Sequence, residues 1–500
     1  MEFGRLRAFF WPIHRQELRQ YLPIFVVTLL LGINYHILRN LKYSLLVLAP
    51  DAGAEAIPFV QLWGLAPAAL VMTYLLSRLC RRLTEGQVFY ATVMGFLIFF
   101  ALFTYVLYPL REQLEPKGAV IWMQSHLSPR LSGFIAIIRH WPLSLFYVAS
   151  ELWKVSVLAV LFWGFVNAKV RFSQAQRFYG PLVLATSLAG IAGGSINRFF
   201  PKWHWVQNIG TGVDPWHRSI TAMMLVVIGV GLLAMFVFRY LERHSPRELV
   251  DGGQEGARRS WNFSVKEALR CLSRSPYLLS LGFIVAAEYT AFSLAEIMWK
   301  DRLRIYFPDP GDFNAFTGSV VVWANILSVA VSALLSGGLI NRLGWRVAAI
   351  IGPVILLATS VAFYLFVVFP EAPIMRQVAS LFSGASPLAV AVFLGGVHNC
   401  LCRVAKTCLV DPTKELAFVP LDQSTKIQGK AIIDGIGVHA GRAGGALVQH
   451  ILLIFVPTVA AGAPIAGVIV IAIGLLWMRS VSFVGKKYGE ITRERAATAS

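Results

Sequence analysis

The chain has 500 residues, of which 56% are hydrophobic and 14% are charged, and it contains 45 Lys and Arg residues against 26 Asp and Glu residues. Soluble proteins carry roughly 25% charged residues, so this composition excludes an ordinary soluble enzyme, a disordered chain and a disulfide scaffold. A membrane-spanning helix needs about 20 apolar residues, and twelve such helices would use about half of the chain. The net charge of +19 indicates positive cytoplasmic loops or an anionic ligand, because the apolar content argues against nucleic acid as a partner.

Apolar runs bounded by charged residues, Pro or Gly predict twelve membrane-spanning helices. The first six are predicted at 22–38, 58–76, 88–109, 142–167, 178–196 and 219–240, and the second six at 276–299, 315–340, 346–369, 377–401, 431–455 and 458–478. One long charged connection, 241–275, separates the two sets. We therefore predict an all-α membrane protein of the major facilitator type, with helix bundles at 1–240 and 276–480, a cytoplasmic linker at 241–275 and a cytoplasmic tail at 481–500.

The distribution of basic residues predicts which side of the membrane each loop faces. With a cytoplasmic N-terminus, 30 of the 45 Lys and Arg residues lie on the cytoplasmic side and 13 lie on the other side. Cytoplasmic loops carry an excess of Lys and Arg in membrane proteins. We therefore expect both termini in the cytoplasm, and most of the net charge then reflects orientation rather than ligand binding.

Charged residues inside predicted spans point to function, because a charge at the middle of a bilayer costs at least about 2.5–3.5 kcal/mol. Arg39 and Lys42 lie three residues apart at the end of the first span, and Glu151 and Lys154 have the same spacing in the fourth. Glu151 and Lys154 either neutralise each other as a structural pair or line a polar cavity. Arg39 and Lys42 either contribute to that cavity or extend toward the outer interface.

The predicted seventh span carries further charges. It contains Glu288 and Glu296, and Lys300 follows Glu296 by four residues. This spacing places Glu296 and Lys300 on one face of a helix, so they form either a local ion pair or part of a cavity wall.

The densest group of charges begins just before the eleventh span. Lys426, Lys430 and Asp434 recur every four residues, and Arg442 lies eight residues beyond Asp434. This spacing aligns them along one helical stripe. A helix at the membrane interface could also carry such a stripe on a solvated face, but we expect the stripe to line a cavity.

Cations from both halves of the chain favour a multiply charged anion as the ligand, because Lys and Arg are strong charged donors for phosphate. Catalytic motifs are lacking: Gly429-Lys430 has neither the preceding glycine nor the following Ser or Thr of a P-loop. Cys400 and Cys402 lie near His398, but thiols one residue apart make a poor tetrahedral metal site. We therefore expect a transporter with no metal or cofactor.

Eight segments spread over nearly the whole chain match one known pattern. In the first half they are Phe10-Trp11-Pro-Ile-His14, Asn34-Tyr35-x-x-Leu38-Arg39-x-x-Lys42, Ala54-Glu-Ala-Ile-Pro58-Phe, Ser150-Glu151-Leu-Trp153 and Leu161-Phe-Trp163-Gly-Phe-x-Asn167. In the second half they are Glu296-x-x-Trp299-Lys300, Asp411-Pro-Thr-Lys414-Glu415 and Thr425-Lys426-x-x-Gly429-Lys430-Ala-x-x-Asp434. Together they resemble the nucleotide transporter (ATP/ADP translocase) family of plastids and obligate intracellular bacteria.

The resemblance implies a twelve-helix transporter that moves nucleotides by alternating access. It also implies that Lys42, Glu151, Glu296 and a lysine of the 426–430 stretch are important for transport. The cations would neutralise phosphates, the carboxylates would balance the empty site or couple to protons, and Tyr35 and Trp153 would stack on a base. The predicted substrate site comprises Asn34, Tyr35, Arg39, Lys42, Glu151, Trp153, Glu296, Lys426, Lys430, Asp434 and Arg442.

Two segments depart from the family pattern. Members that exchange ATP for ADP typically have Leu-Arg-Asp-x-Lys-Asp, whereas this chain has Asn40 and Tyr43 in place of the two acids, and Lys154 replaces a small residue. We expect ATP/ADP exchange by a monomer in the bacterial inner membrane. The alternatives are proton-coupled import of nucleoside triphosphates, exchange of another nucleotide such as NAD and, from another class, a membrane phosphotransfer enzyme.

Overall fold

The described part of the chain is all helical. A computed structural model describes residues 13, 14, 17–169, 172–208, 214–244, 275–335, 344–382, 384–421, 425, 429, 430 and 432–499. The long helices, numbered α1–α12, are Leu18–Val47, Ala56–Cys80, Glu85–Leu107, Trp141–Asn167, Phe172–Phe199, Pro215–His244, Pro276–Tyr306, Pro310–Leu335, Trp345–Val368, Pro387–Ala417, Val438–Phe455 and Ala463–Ala499. Shorter helices include Lys117–His126, Ser132–Arg139 and Pro373–Ser380.

Ten helices within the described residues are long and apolar enough to cross a membrane. They correspond to every predicted span except 178–196 and 431–455. Those two spans coincide with α5 and with α11, whose apolar part is the shorter helix Gly441–Phe455. The predicted all-helical membrane fold is therefore confirmed.

The span predicted at 377–401 was placed wrongly. The side chain of Ser386 accepts a hydrogen bond from the backbone of Ala389, so α10 begins only at Pro387 and then continues to Ala417. The charged residues beyond 401 were interpreted as a loop. They remain helical because their side chains form ion pairs with carboxylates, which lowers the cost of burying them.

π-helical turns interrupt several of the described helices. They occupy Val60–Leu65, Phe103–Leu107, Trp153–Phe162, Lys406–Val410 and Ile433–Gly437. A π turn closes its hydrogen bonds over five residues instead of four, and such turns occur frequently at functional sites. Two of them lie at charged residues of the predicted site, because one follows Glu151 and one contains Asp434, and a third begins at Lys406, which the prediction does not include.

The chain divides into two compact units. Unit 1 consists of Met1–Leu249 and Phe307–Val329, and unit 2 consists of Val250–Tyr306 and Ala330–Ser500. The first part of α8 therefore belongs with the amino-terminal helices. Of the predicted linker 241–275, only the end of α6 and residue 275 lie among the described residues, and α12 extends through most of the predicted tail.

Helix α1 forms the centre of unit 1, where it packs against α4, α5 and α6. Two of its buried polar side chains form hydrogen bonds to other helices of unit 1. Asn34 Nδ2 donates a hydrogen bond to the carbonyl oxygen of Val227 at 2.9 Å, and Ser44 Oγ donates to Asn314 Oδ1 at 3.1 Å. Because buried polar groups are costly without partners, these bonds specify the packing of α1.

Helix α7 has the corresponding place in unit 2, where it packs against α10, α11 and α12. The indole of Trp299 lies on Gly395 of α10, and its Nε1 donates a hydrogen bond to the carbonyl oxygen of Val392 at 2.9 Å. A β-carbon at residue 395 would overlap the indole ring, so this close approach of α7 and α10 requires glycine.

We expect Gly395→Ala to destabilise the protein by about 1–3 kcal/mol, because the added methyl group overpacks a filled contact. Thermal unfolding of the purified protein, followed by intrinsic fluorescence, measures this loss. Gly95→Ala in α3 is the matched control, since nothing lies within 4 Å of a β-carbon there. Equal melting temperatures for the two variants would contradict the proposed packing.

Candidate functional site

The buried cation of unit 1 is Lys42. Its side chain is 1% exposed and forms an ion pair with Glu151 of α4, whose side chain is 22% exposed. The ammonium also lies 4.5 Å from the ring centroid of Tyr43 and 4.1 Å from that of Tyr147. Gln61 Nε2 donates a hydrogen bond to the Tyr147 hydroxyl at 3.0 Å. Lys42 is therefore held in a preformed arrangement of one carboxylate and two aromatic rings.

Two more cations complete what we call the amino-terminal charge cluster, which consists of Arg39, Lys42, Glu151 and Lys154. The Lys154 ammonium lies 5.1 Å from the ring centroid of Tyr35, and Tyr35, Arg39 and Lys154 are all partly exposed. The cluster has three cations and one carboxylate. It therefore carries an excess of positive charge suited to an anion.

Asn34 and Trp153, both predicted to bind substrate, lie in the interior of unit 1. Both side chains are fully buried. Asn34 bonds to α6, and the ring of Trp153 packs against Phe96 and Phe100 at centroid distances of 5.8 Å and 6.1 Å. In this conformation both side chains contribute to the packing of the bundle. Tyr35 remains the aromatic candidate for contact with a base.

In unit 2, carboxylates of α7 pair with cations of α10. Arg403 Nη2 lies 3.1 Å from Glu296 Oε1, and Lys406 Nζ lies 3.3 Å from Glu288 Oε1. Lys406 also lies 2.9 Å from Asp411 Oδ1. Helical spacing suggests Lys300 as a local partner of Glu296 or as part of a cavity wall. In the structure Arg403 contacts this carboxylate, and the Lys300 side chain is 3% exposed with its ammonium 4.7 Å from the Trp299 ring centroid.

The predicted stripe of charges near α11 is distributed over several partners. Asp434 Oδ1 lies 2.5 Å from Lys414 Nζ of α10, and the half-exposed Lys430 lies 2.5 Å from Glu415. Lys426 lies outside the described residues. Asp434 and Lys430 therefore each form an ion pair with a residue near the end of α10 rather than with each other.

Arg442 lies beside the cations of α10. Its guanidinium is 4.9 Å from the ring centroid of Tyr289 on α7, and the Lys406 ammonium is 4.7 Å from the same ring. We call Glu288, Glu296, Arg403, Lys406, Asp411, Lys414, Glu415, Lys430, Asp434 and Arg442 the carboxy-terminal charge cluster. Its five cations and five carboxylates balance in charge, unlike the amino-terminal cluster.

Sequence reasoning missed three of these cations: Arg403, Lys406 and Lys414. They lie between the predicted spans 377–401 and 431–455, where the hydropathy pattern predicts a loop. One signal pointed to them, because Glu288 and Glu296 in an apolar span require cationic partners. The sequence does not say which cations supply that charge.

Comparison with known proteins identifies the family. The family model described as TLC ATP/ADP transporter matches residues 1–488. ADP,ATP carrier protein 1 of Chlamydia pneumoniae is 35% identical over 515 residues, covering 100% of this chain and 98% of the relative. The chloroplastic ADP,ATP carrier protein 1 of Arabidopsis thaliana is 33% identical over 479 residues, covering 95% of this chain and 75% of the relative.

Solved structures support the fold alone. The crystal structure of a bacterial homologue of the iron transporter ferroportin, in its inward-facing state, matches with a TM-score of 0.56 and 13% identity, covering 95% of this chain and 100% of that one. A bacterial metal transporter matches with a TM-score of 0.54, also at 13% identity. The chain therefore shares the helical fold of these transporters. The family model and the carrier relatives show that the protein is a membrane transporter rather than an enzyme. With a family model that matches nearly its whole length, the chain belongs to the TLC ATP/ADP transporter family.

Proposed function

We propose that the protein exchanges ATP for ADP across the membrane by alternating access. The match of the family model over residues 1–488 and the relatives named ADP,ATP carriers support this proposal. The observation that carries it in the structure is the buried Lys42, held by Glu151 and two tyrosine rings in a cluster with excess positive charge. A buried cation poised in this way suits a phosphate better than it suits an uncharged substrate.

The amino-terminal charge cluster would bind the phosphates. Without substrate, Glu151 neutralises Lys42, which lowers the free-energy cost of burying the ammonium. An arriving phosphate offers Lys42 charge-assisted hydrogen bonds in place of those from Glu151. Arg39 and Lys154 supply further positive charge, and Tyr35 lies beside Lys154 where it can contact the base. The carboxylate thus acts as a substitute for the phosphate in the empty carrier.

The carboxy-terminal charge cluster would participate through ion pairs that exchange partners. Each of Arg403, Lys406 and Lys414 pairs with a carboxylate of another segment or of its own helix. Breaking such a pair without a replacement leaves a buried charge uncompensated. A carrier that must replace these pairs with contacts to a nucleotide reorients readily when loaded and poorly when empty, which is the requirement for exchange.

The protein's setting in the membrane belongs to the same proposal. The excess of Lys and Arg in alternate loops supports cytoplasmic N- and C-termini. The chlamydial relatives support a bacterial membrane, and we propose the inner membrane and a monomeric carrier, with one substrate site per chain.

Counterflow in proteoliposomes tests the function directly. We expect labelled ATP to enter vesicles loaded with ADP and not to enter empty vesicles, and we expect a protonophore to leave the initial rate unchanged. A competition panel of ADP, other nucleoside triphosphates and NAD then defines the substrates. Uptake into empty vesicles that a protonophore abolishes would establish proton symport instead, and exchange only with NAD would replace the ATP/ADP assignment.

A further inference from the structure

A groove on unit 1, lined by none of the residues of the charge clusters, has the features of a lipid site. It has a volume of about 690 Å³ and lies between α2, α3 and α4. Its walls are almost entirely apolar, and its lining residues recur at helical spacing on all three helices; among them are Val71, Leu75, Phe99, Leu145, Val148 and Leu152. The carboxyl-terminal part of α2 covers the groove loosely, since Leu76 is the only buried residue in Ala66–Cys80.

The length of the groove matches an acyl chain. Its lining residues on α2 extend from Ala68 to Leu79. At 1.5 Å per residue this distance is about 17 Å, which exceeds half of the roughly 30 Å hydrocarbon core of a bilayer. Ala91 and Gly95 line the groove on α3 and leave space in it, because they have little or no side chain. Nothing lies within 4 Å of a β-carbon at residue 95.

Positive charge is confined to one end of this apolar groove. Arg78 and Arg82 line it where α2 ends, and both are exposed. Neither pairs with a carboxylate among the described residues of unit 1. In the predicted orientation this end faces the cytoplasm. Basic residues at the end of a span attract the anionic headgroups of lipids.

An unsatisfied hydroxyl lies inside the groove. Thr92 of α3 is 9% exposed, and its Oγ1 has no hydrogen-bond partner among the described residues. Thr73 and Thr104, in contrast, donate to the carbonyl oxygens four residues earlier, each at 2.8 Å. Thr92 is seven residues into α3, about 10 Å along the helix from the end that carries the arginines. The ester carbonyls of a phospholipid lie on this side of its phosphate and can accept such a hydrogen bond.

We propose that this groove binds one anionic phospholipid. Its phosphate contacts Arg78 and Arg82, an ester carbonyl accepts a hydrogen bond from Thr92, and its acyl chains lie along the apolar walls toward Leu145. A nucleotide does not fit these features, because Thr92 is the only polar uncharged residue that lines the groove and a base and a ribose need several polar partners. The groove is therefore a lipid site separate from the substrate site.

Native mass spectrometry of the full-length protein tests this proposal, with phosphatidylglycerol and phosphatidylcholine added in equal amounts. We expect one phosphatidylglycerol to be retained in preference to phosphatidylcholine. The double variant Arg78→Ala/Arg82→Ala should lose about 25-fold in affinity for phosphatidylglycerol, at roughly 5-fold per arginine near a lipid surface. Gly95→Leu should reduce the retention of both lipids, because nothing lies within 4 Å of a β-carbon at residue 95 and the rest of the leucine side chain would occupy the groove.

Three comparisons make the result decisive. Arg81→Ala, which removes an exposed arginine that does not line the groove, should bind as the unmodified protein does. Glycerol 3-phosphate, which lacks acyl chains, should not displace the lipid, whereas displacement would mean that the arginines hold a free phosphate. The proposal would be overturned if Arg81→Ala and the double variant lost lipid equally. It would also be overturned if a Gly95→Leu protein with an unchanged melting temperature retained as much lipid as the unmodified protein.

Discussion

Lys42→Ala is expected to abolish nucleotide exchange, with a loss of about 100-fold or more in the initial rate. A hydrogen bond to a charged group contributes about 1.5–3 kcal/mol, which corresponds to a factor of about 10–150 in affinity. The substitution also leaves Glu151 without its partner, and breaking a buried pair costs about 3–5 kcal/mol in stability. Exchange in proteoliposomes and thermal unfolding of the same preparation measure the two effects.

A double variant separates binding from folding. Lys42→Met combined with Glu151→Gln removes both charges at similar volume, so we expect stability to return while exchange remains absent. Lys202→Ala is the control, because this lysine is 65% exposed and its pair with Asp312 contributes at most about 1 kcal/mol. Recovery of exchange in the double variant would mean that Lys42 and Glu151 are a structural pair only.

Arg403→Ala is expected to lower the exchange rate about 10-fold or more and to lower the melting temperature. The variant leaves the carboxylate of Glu296, which is 13% exposed, without the guanidinium that lies 3.1 Å away. The chain contains a matched control in Arg376 and Glu371, an arginine–glutamate pair whose side chains are 61% and 81% exposed. Because solvent screens an exposed pair, Arg376→Ala should change the rate less than about 2-fold.

A second substitution separates the two roles of Arg403 as well. Arg403→Gln with Glu296→Gln keeps a neutral, hydrogen-bonding pair, so we expect most of the stability to return. Exchange should remain low if Arg403 leaves Glu296 to contact the nucleotide during transport. Rates near those of the unmodified protein in the double variant would assign Arg403 and Glu296 to packing alone and would remove them from the proposed site.

The helices of this protein could be predicted from composition and hydropathy, whereas the end of α10 could not. Lys406 and Lys414 follow the apolar run and resemble residues of a cytoplasmic loop. They belong to a helix because Glu288 and Asp434 neutralise them from other segments. A charge can be buried when an opposite charge pairs with it. A partner that is distant in sequence cannot be recognised from the local hydropathy pattern.

The sequence by itself determined that this is a membrane protein of apolar helices, and it predicted that charges inside those helices carry the function. It did so because a bilayer imposes the length and the apolarity of each span separately. Only the tertiary structure decided which charges meet. Helical spacing suggested local pairs, such as Glu296 with Lys300, but Lys42 contacts Glu151 and Arg403 contacts Glu296, partners 109 and 107 residues apart. Neighbouring helices bring such side chains together in the interior of a bundle, where water cannot neutralise a charge and another side chain must.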